Sequence, residues 1–131
     1  MTAIAAPTEY PETMVARTLM RALIEITDRK FDDAERTLRQ GLLVEQKWPH
    51  TGLIGSVRVM LAYLHLQCKR EKEAWLQFMP FLAECEQRNM PGLILQEMDI
   101  AVPLLHLAVE RKTHAEFAKR LLETLNRAGE S

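Results

Sequence analysis

Cysteine, glycine and proline are all scarce in this sequence of 131 residues, which contains 2 cysteines, 5 glycines and 6 prolines. Neither Cys68 nor Cys85 belongs to a CxxC motif, so there is no disulfide framework, as is typical of a reducing compartment. No apolar run approaches the ~20 residues that a membrane-spanning helix needs. The opening MTAIAAPTEY also lacks the basic and apolar segments of a signal peptide. We therefore expect a cytoplasmic protein without membrane association.

An excess of charge of one sign is also missing. Lysine and arginine total 17 against 18 aspartates and glutamates, and the net charge is -1. This balance gives no general reason to bind a polyanion, so we expect no direct contact of this chain with nucleic acid. The phosphate-binding motif GxxxxGK[ST] is absent; the stretch TGLIGS at 51–56 has the glycines of such a loop but not its lysine. Nucleotide hydrolysis is therefore not expected.

Residues that favour helices dominate instead. Apolar residues make up 47% of the chain, and they recur at spacings of three and four in six segments of about 15 to 20 residues. Short polar or proline-containing stretches separate these segments. The pattern predicts an all-α protein of about six antiparallel helices. We expect a flexible N-terminal segment at 1–10, a helical repeat domain at 11–127 and a disordered C-terminal tail at 128–131.

Two prolines fall inside predicted helices. Pro80 lies in the fourth, and Pro103 lies in a single fifth helix whose apolar stripe is Ile94, Met98, Ala101, Leu105 and Ala108. An interior proline removes one hydrogen bond and clashes with the carbonyl four residues earlier, at a cost of about 3 kcal/mol. We expect a kink at each proline, or a break at Pro80. Thr113 and Glu116 have the spacing of a capping box for the sixth helix.

Part of the sequence pattern recurs after forty residues. KFDDAERTLRQGL at 30–42 aligns with REKEAWLQFMPFL at 70–82, which matches Ala34 with Ala74 and Leu38 with Phe78. The preceding segments match at the same step, and the last two match more loosely. A fixed step between helical pairs is typical of helical repeat proteins, in which neighbouring pairs stack. We expect three helix hairpins that form a short right-handed superhelix.

The small residues, one late in the first helix of a pair and one early in the second, resemble those of the tetratricopeptide repeat (TPR). Two segments also resemble the helical sensor region of large ATP-dependent LuxR-type regulators, the group that includes the maltose-regulon activator. These segments are VRVMLAYLHLQCKREKEAWLQFMPFLAECEQRNMPGLILQEM and VPLLHLAVERKTHAEFAKRLLETL. In that family such stretches end the repeat domain just before a DNA-binding helix-turn-helix. This chain has neither the phosphate loop nor the helix-turn-helix, so we expect a piece of such a regulator or a small stand-alone relative.

The TPR pattern also implies a binding side. It turns five polar residues toward the concave side of the superhelix, where they form a small patch for an effector or peptide: Tyr63, Gln67, Gln96, Asp99 and His106. Chance placement of polar residues on helix surfaces is the competing interpretation. Trp48 and Trp75 are interpreted first as fillers of the seams between repeats, and second as anchors for a partner.

The candidates for chemistry are few. His65 and Cys68 lie three residues apart on one helix face, but a structural zinc site needs four convergent ligands and no second cluster is visible. Five carboxylates are interpreted as parts of a solvated face, namely Glu84, Glu86, Glu97, Asp99 and Glu110. We assign no catalytic residue, cofactor or metal ligand. A small helical metal-binding protein or enzyme that uses His65, Cys68 and nearby carboxylates is the alternative.

The first helix carries the most informative irregularity. Beyond its main apolar stripe it has Ala16, Met20 and Ile24, whereas a terminal repeat should have a polar outer face. The sixth helix does have such a face. We expect an upstream repeat, a second copy in a homodimer, or the N-terminal segment to cover the first helix. The leading hypothesis is a non-catalytic interaction or sensor module that binds a protein partner, itself or a small effector in transcriptional regulation.

Overall fold

The computed structural model describes residues 10–47 and 56–130. These residues form seven α-helices and one 3-10 helix, with no strand among them, which confirms the all-α prediction. None of the described helices is long and apolar enough to cross a membrane. The elements are α1 (Pro11–Thr27), α2 (Phe31–Lys47), α3 (Val57–Gln67), α4 (Glu71–Gln87), α5 (Gly92–Leu95), the 3-10 helix (Met98–Ile100), α6 (Ala101–Glu110) and α7 (Ala115–Glu130).

Sequence neighbours pack in pairs, with α1 against α2, α3 against α4 and α6 against α7. α3 also contacts both helices of the first pair, and α6 contacts both α3 and α4. Two apolar clusters result. One joins the first pair to α3, and the other joins α3 and α4 to the helices that follow. α3 contributes to both clusters and is therefore buried on two sides.

The first two pairs have the same local geometry at the forty-residue step. Arg29 and Lys69 both adopt a left-handed backbone with φ of 61°. In the turns, the amide of Lys30 donates to the carbonyl of Glu25 at 2.8 Å, and the amide of Arg70 donates to that of His65 at 2.8 Å. These bonds satisfy carbonyls that the helix ends leave without intrahelical partners.

The turn of the third pair contains one additional residue. His114 is left-handed, with φ of 52°, and its carbonyl accepts the amide of Ala118 at 2.9 Å. The predicted capping box is wrong, because the Thr113 hydroxyl donates to the carbonyl of Arg111 at 3.1 Å and α7 begins only at Ala115. α7 then continues to Glu130, three residues beyond the predicted end of the helical domain.

The predicted fifth helix is divided into three pieces, so the prediction of one continuous, kinked helix is wrong. Pro103 has no amide to donate to the carbonyl of Asp99, and its ring crowds that carbonyl. Bonds to the third preceding residue replace the α-helical pattern here, from Glu97 to Ile94 and from Ile100 to Glu97. Pro103 then lies in the first turn of α6, where amides have no intrahelical acceptor.

The predicted break at Pro80 does not occur, because α4 continues without interruption to Gln87. Phe78 and Leu82, on either side of Pro80, are both fully buried. Burying side chains of this size contributes roughly 1.5–3 kcal/mol each, which together offsets the ~3 kcal/mol cost of an interior proline.

Candidate functional site

α1 is apolar on two sides. One side is buried and packs against α2 and α3. The other side exposes 68% of Met20, 46% of Leu23 and 60% of Ile24, with Ala16 half-buried beside them. We call Ala16, Met20, Leu23 and Ile24 the α1 face. Ala16, Met20 and Ile24 were expected from the sequence. Leu23 was not expected there, because it borders the buried stripe and spacing alone does not separate the two surfaces.

The equivalent positions of α3 show what such a face can do. Met60 and Leu64 lie forty residues after Met20 and Ile24, and they are only 4% and 0% exposed. Both belong to the apolar cluster that α3 forms with the first pair. The same helix position is therefore a packing surface in α3 and an open surface in α1.

Arginines border the α1 face. Arg17 lies three residues before Met20 and Arg21 lies three residues before Ile24, so each pair is adjacent on the helix surface. The Arg21 side chain is 72% exposed, and its Nε lies 3.5 Å from a carboxylate oxygen of Glu25. That carboxylate is shielded, and its Oε1 accepts the Thr37 hydroxyl at 2.7 Å. The three-residue spacing of the arginines from Met20 and Ile24 is visible in the sequence, but the sequence interpretation did not include these arginines.

A groove between α1 and α2 continues from the arginines. Its volume is about 340 Å³, and its lining includes Arg17, Arg21 and, from α2, Arg36. The carboxylates in the lining are those of Glu25 and Asp33, and Asp33 receives Arg36 at 3.3 Å. Each of these two carboxylates lies next to an arginine, so the groove lining carries charges of both signs.

The five residues of the predicted polar patch lie on adjoining elements. Tyr63 and Gln67 are one turn apart on α3, Gln96 ends α5, Asp99 is in the 3-10 helix and His106 is on α6. α3 contacts both the 3-10 helix and α6. Tyr63 is half-buried against both apolar clusters, and the Gln96 amide donates to the carbonyl of Leu93 at 3.3 Å. A binding role for this patch stays a prediction.

His65 and Cys68 lie near the end of α3. His65 is only 2% exposed, and its Nδ1 has no hydrogen-bond partner among the described residues. Burial lowers the pKa of this imidazole. No group of three or more His, Cys, Asp or Glu side chains in the described ranges could hold a metal ion. Burial also raises the pKa of the Cys85 thiol to about 11, which keeps it protonated and unreactive near neutral pH.

Glu97 is the carboxylate that sequence reasoning placed wrongly. It is 9% exposed rather than solvated, and its Oε1 accepts the amide of Ser56 at 2.6 Å. Glu45, at the end of α2, accepts the amide of Val57 at 2.7 Å. Two carboxylates therefore cap the start of α3. Burial raises the pKa of Glu97 to about 7, and the nearby charge of Glu45 adds to this, against the hydrogen bond from Ser56.

The other carboxylates have ordinary surroundings. Glu84, Asp99 and Glu110 are exposed, as the sequence indicated. Glu86 is half-buried and pairs with Nδ1 of His114, which connects the end of α4 to the start of α7. Of these carboxylates, three are therefore solvated and Glu86 joins two helices.

Contacts between successive pairs follow one arrangement. Nη1 of Arg70, in the turn of the second pair, lies 2.9 Å from the Glu35 carboxylate on α2. The guanidinium of Arg111, in the turn of the third pair, lies 5.6 Å from the ring centre of Trp75 on α4. Trp75 stands forty residues after Glu35 and is half-buried against the core, at the junction of the second and third pairs. Trp48 lies outside the described residues.

Comparisons of the chain with protein-family models, with curated proteins and with solved structures found no match.

Proposed function

We propose that this chain is a non-catalytic helical-repeat module that binds a protein partner through the α1 face. In this proposal the three pairs are TPR-like hairpins that stack into a short right-handed superhelix. The recurrence of helix ends and left-handed turns at the forty-residue step supports it. So do the contacts of α3 with both helices of the first pair, and of α6 with both α3 and α4.

One observation carries the interaction function. Met20 and Ile24 are exposed, whereas Met60 and Leu64, their equivalents in α3, are buried against a neighbouring pair. Contiguous exposed apolar residues on a folded domain commonly mark an interaction site. The opposite end of the molecule contrasts with this, because the outer residues of α7 are charged and exposed, namely Glu116, Lys119, Arg120, Glu123 and Arg127.

The biological setting is proposed from the resemblance to the sensor region of LuxR-type regulators. The module would act in the cytoplasm within transcriptional control and would transmit the presence of its partner without contacting DNA itself. Its balanced charge, with a net value of -1, fits a role in protein contacts better than a role in nucleic-acid binding.

Photo-crosslinking in the native host cells tests the proposed function. A benzophenone amino acid replaces Met20 in one variant and Glu123, on the charged outer face of α7, in the control. We expect a covalent adduct of defined mass at position 20 and none at position 123. An adduct twice the mass of the 15.1 kDa chain would identify a second copy as the partner. Equal labelling at both positions, or none at either, would contradict the proposal.

A further inference from the structure

We draw no further inference here: the strongest candidate, the exposed apolar α1 face, carries nothing beyond the proposed function, because Arg21 on its border is already paired with Glu25 and nothing in the structure shows what covers the face.

Discussion

Among the described residues, His65 is buried while one of its ring nitrogens, Nδ1, has no hydrogen-bond partner. Its backbone carbonyl accepts the amides of Cys68 and Arg70 in the turn that follows α3. Its side chain is 98% buried, and Nδ1 has no partner within the described ranges. Burying an unpaired polar atom costs about 1–3 kcal/mol. The sequence suggested a metal ligand here, whereas the structure places the imidazole in the core.

Replacing His65 with leucine should therefore raise the free energy of unfolding by about 1 kcal/mol at pH 7.5. Because burial lowers the pKa of the imidazole, the unfolded chain binds a proton at mildly acidic pH that the folded protein does not bind. The contribution of His65 to stability should therefore fall as pH drops below about 6.5, and His65→Leu should remove this contribution. Urea denaturation at pH 7.5 and 5.5 measures both effects.

The matched control for this substitution is His106→Leu, on the exposed face of α6. It should change stability by less than about 0.5 kcal/mol. If His65→Leu destabilises the protein while His106→Leu does not, Nδ1 of His65 has a partner in solution and the interpretation is wrong.

At the scale of a helix pair, α1 and α2 approach closely at one glycine. A Cβ atom on Gly41 would lie 2.4 Å from Cγ2 and 3.2 Å from Cβ of Thr18. Rotation of the threonine removes only the first of these contacts, and its branched side chain has few rotamers to choose from. The pair therefore needs a glycine at this position for its spacing.

Gly41→Ala should lower the free energy of unfolding by about 1–2 kcal/mol, because the overpacking exceeds the ~1 kcal/mol that alanine contributes to helix propensity. Thr18→Ala removes Cγ2 and Oγ1 and leaves only the 3.2 Å contact with Cβ, so Gly41→Ala should cost less in that background. Thermal or urea denaturation of the four proteins in this cycle provides the test. Equal costs of Gly41→Ala in both backgrounds would show that Thr18 is not the obstacle.

Some elements could be predicted from the sequence, and others could not. Ala34 and Ala74 share a position because both turns have the same length, and the forty-residue step reveals them. Ala118 takes the same position in the third pair but is out of step, because α6 ends three residues beyond the forty-residue step and the turn contains one additional residue. The division of the fifth helix between Leu95 and Ala101 escaped prediction, because its apolar spacing continues through the interruption.

At the scale of the whole molecule, contacts between distant segments were the hardest to predict. The α1 face could be found from spacing, because its residues lie within one helix. The bond from the Ser56 amide to Glu97 spans 41 residues, and the bond from the Val57 amide to Glu45 spans 12. No local sequence pattern predicts either hydrogen bond. The hydrogen bonds from Arg70 and Arg39 lower the pKa of Glu35, and Arg70 likewise joins two helical pairs.

The two carboxylates at the start of α3 should make the stability of the molecule depend on pH. Burial raises the pKa of Glu97 to about 7 from an ordinary value of 4.5, so the folded protein binds a proton that the unfolded chain releases. Stability from this group is present at low pH and is lost as pH rises through about 7. The loss should amount to roughly 1–3 kcal/mol.

Urea denaturation of the natural protein and of Glu97→Gln between pH 5 and 8 tests this dependence. The glutamine keeps an oxygen that can accept the Ser56 amide but carries no charge, so its stability should fall less as pH rises. Both proteins should carry His65→Leu, because His65 acts with the opposite sign over part of this range. Glu110→Gln, on an exposed position of α6, is the control and should behave like its parent. If Glu97→Gln falls with pH as steeply as its parent, Glu97 is ionised in the folded protein throughout, and the two carboxylates hold α3 as a pair of charges.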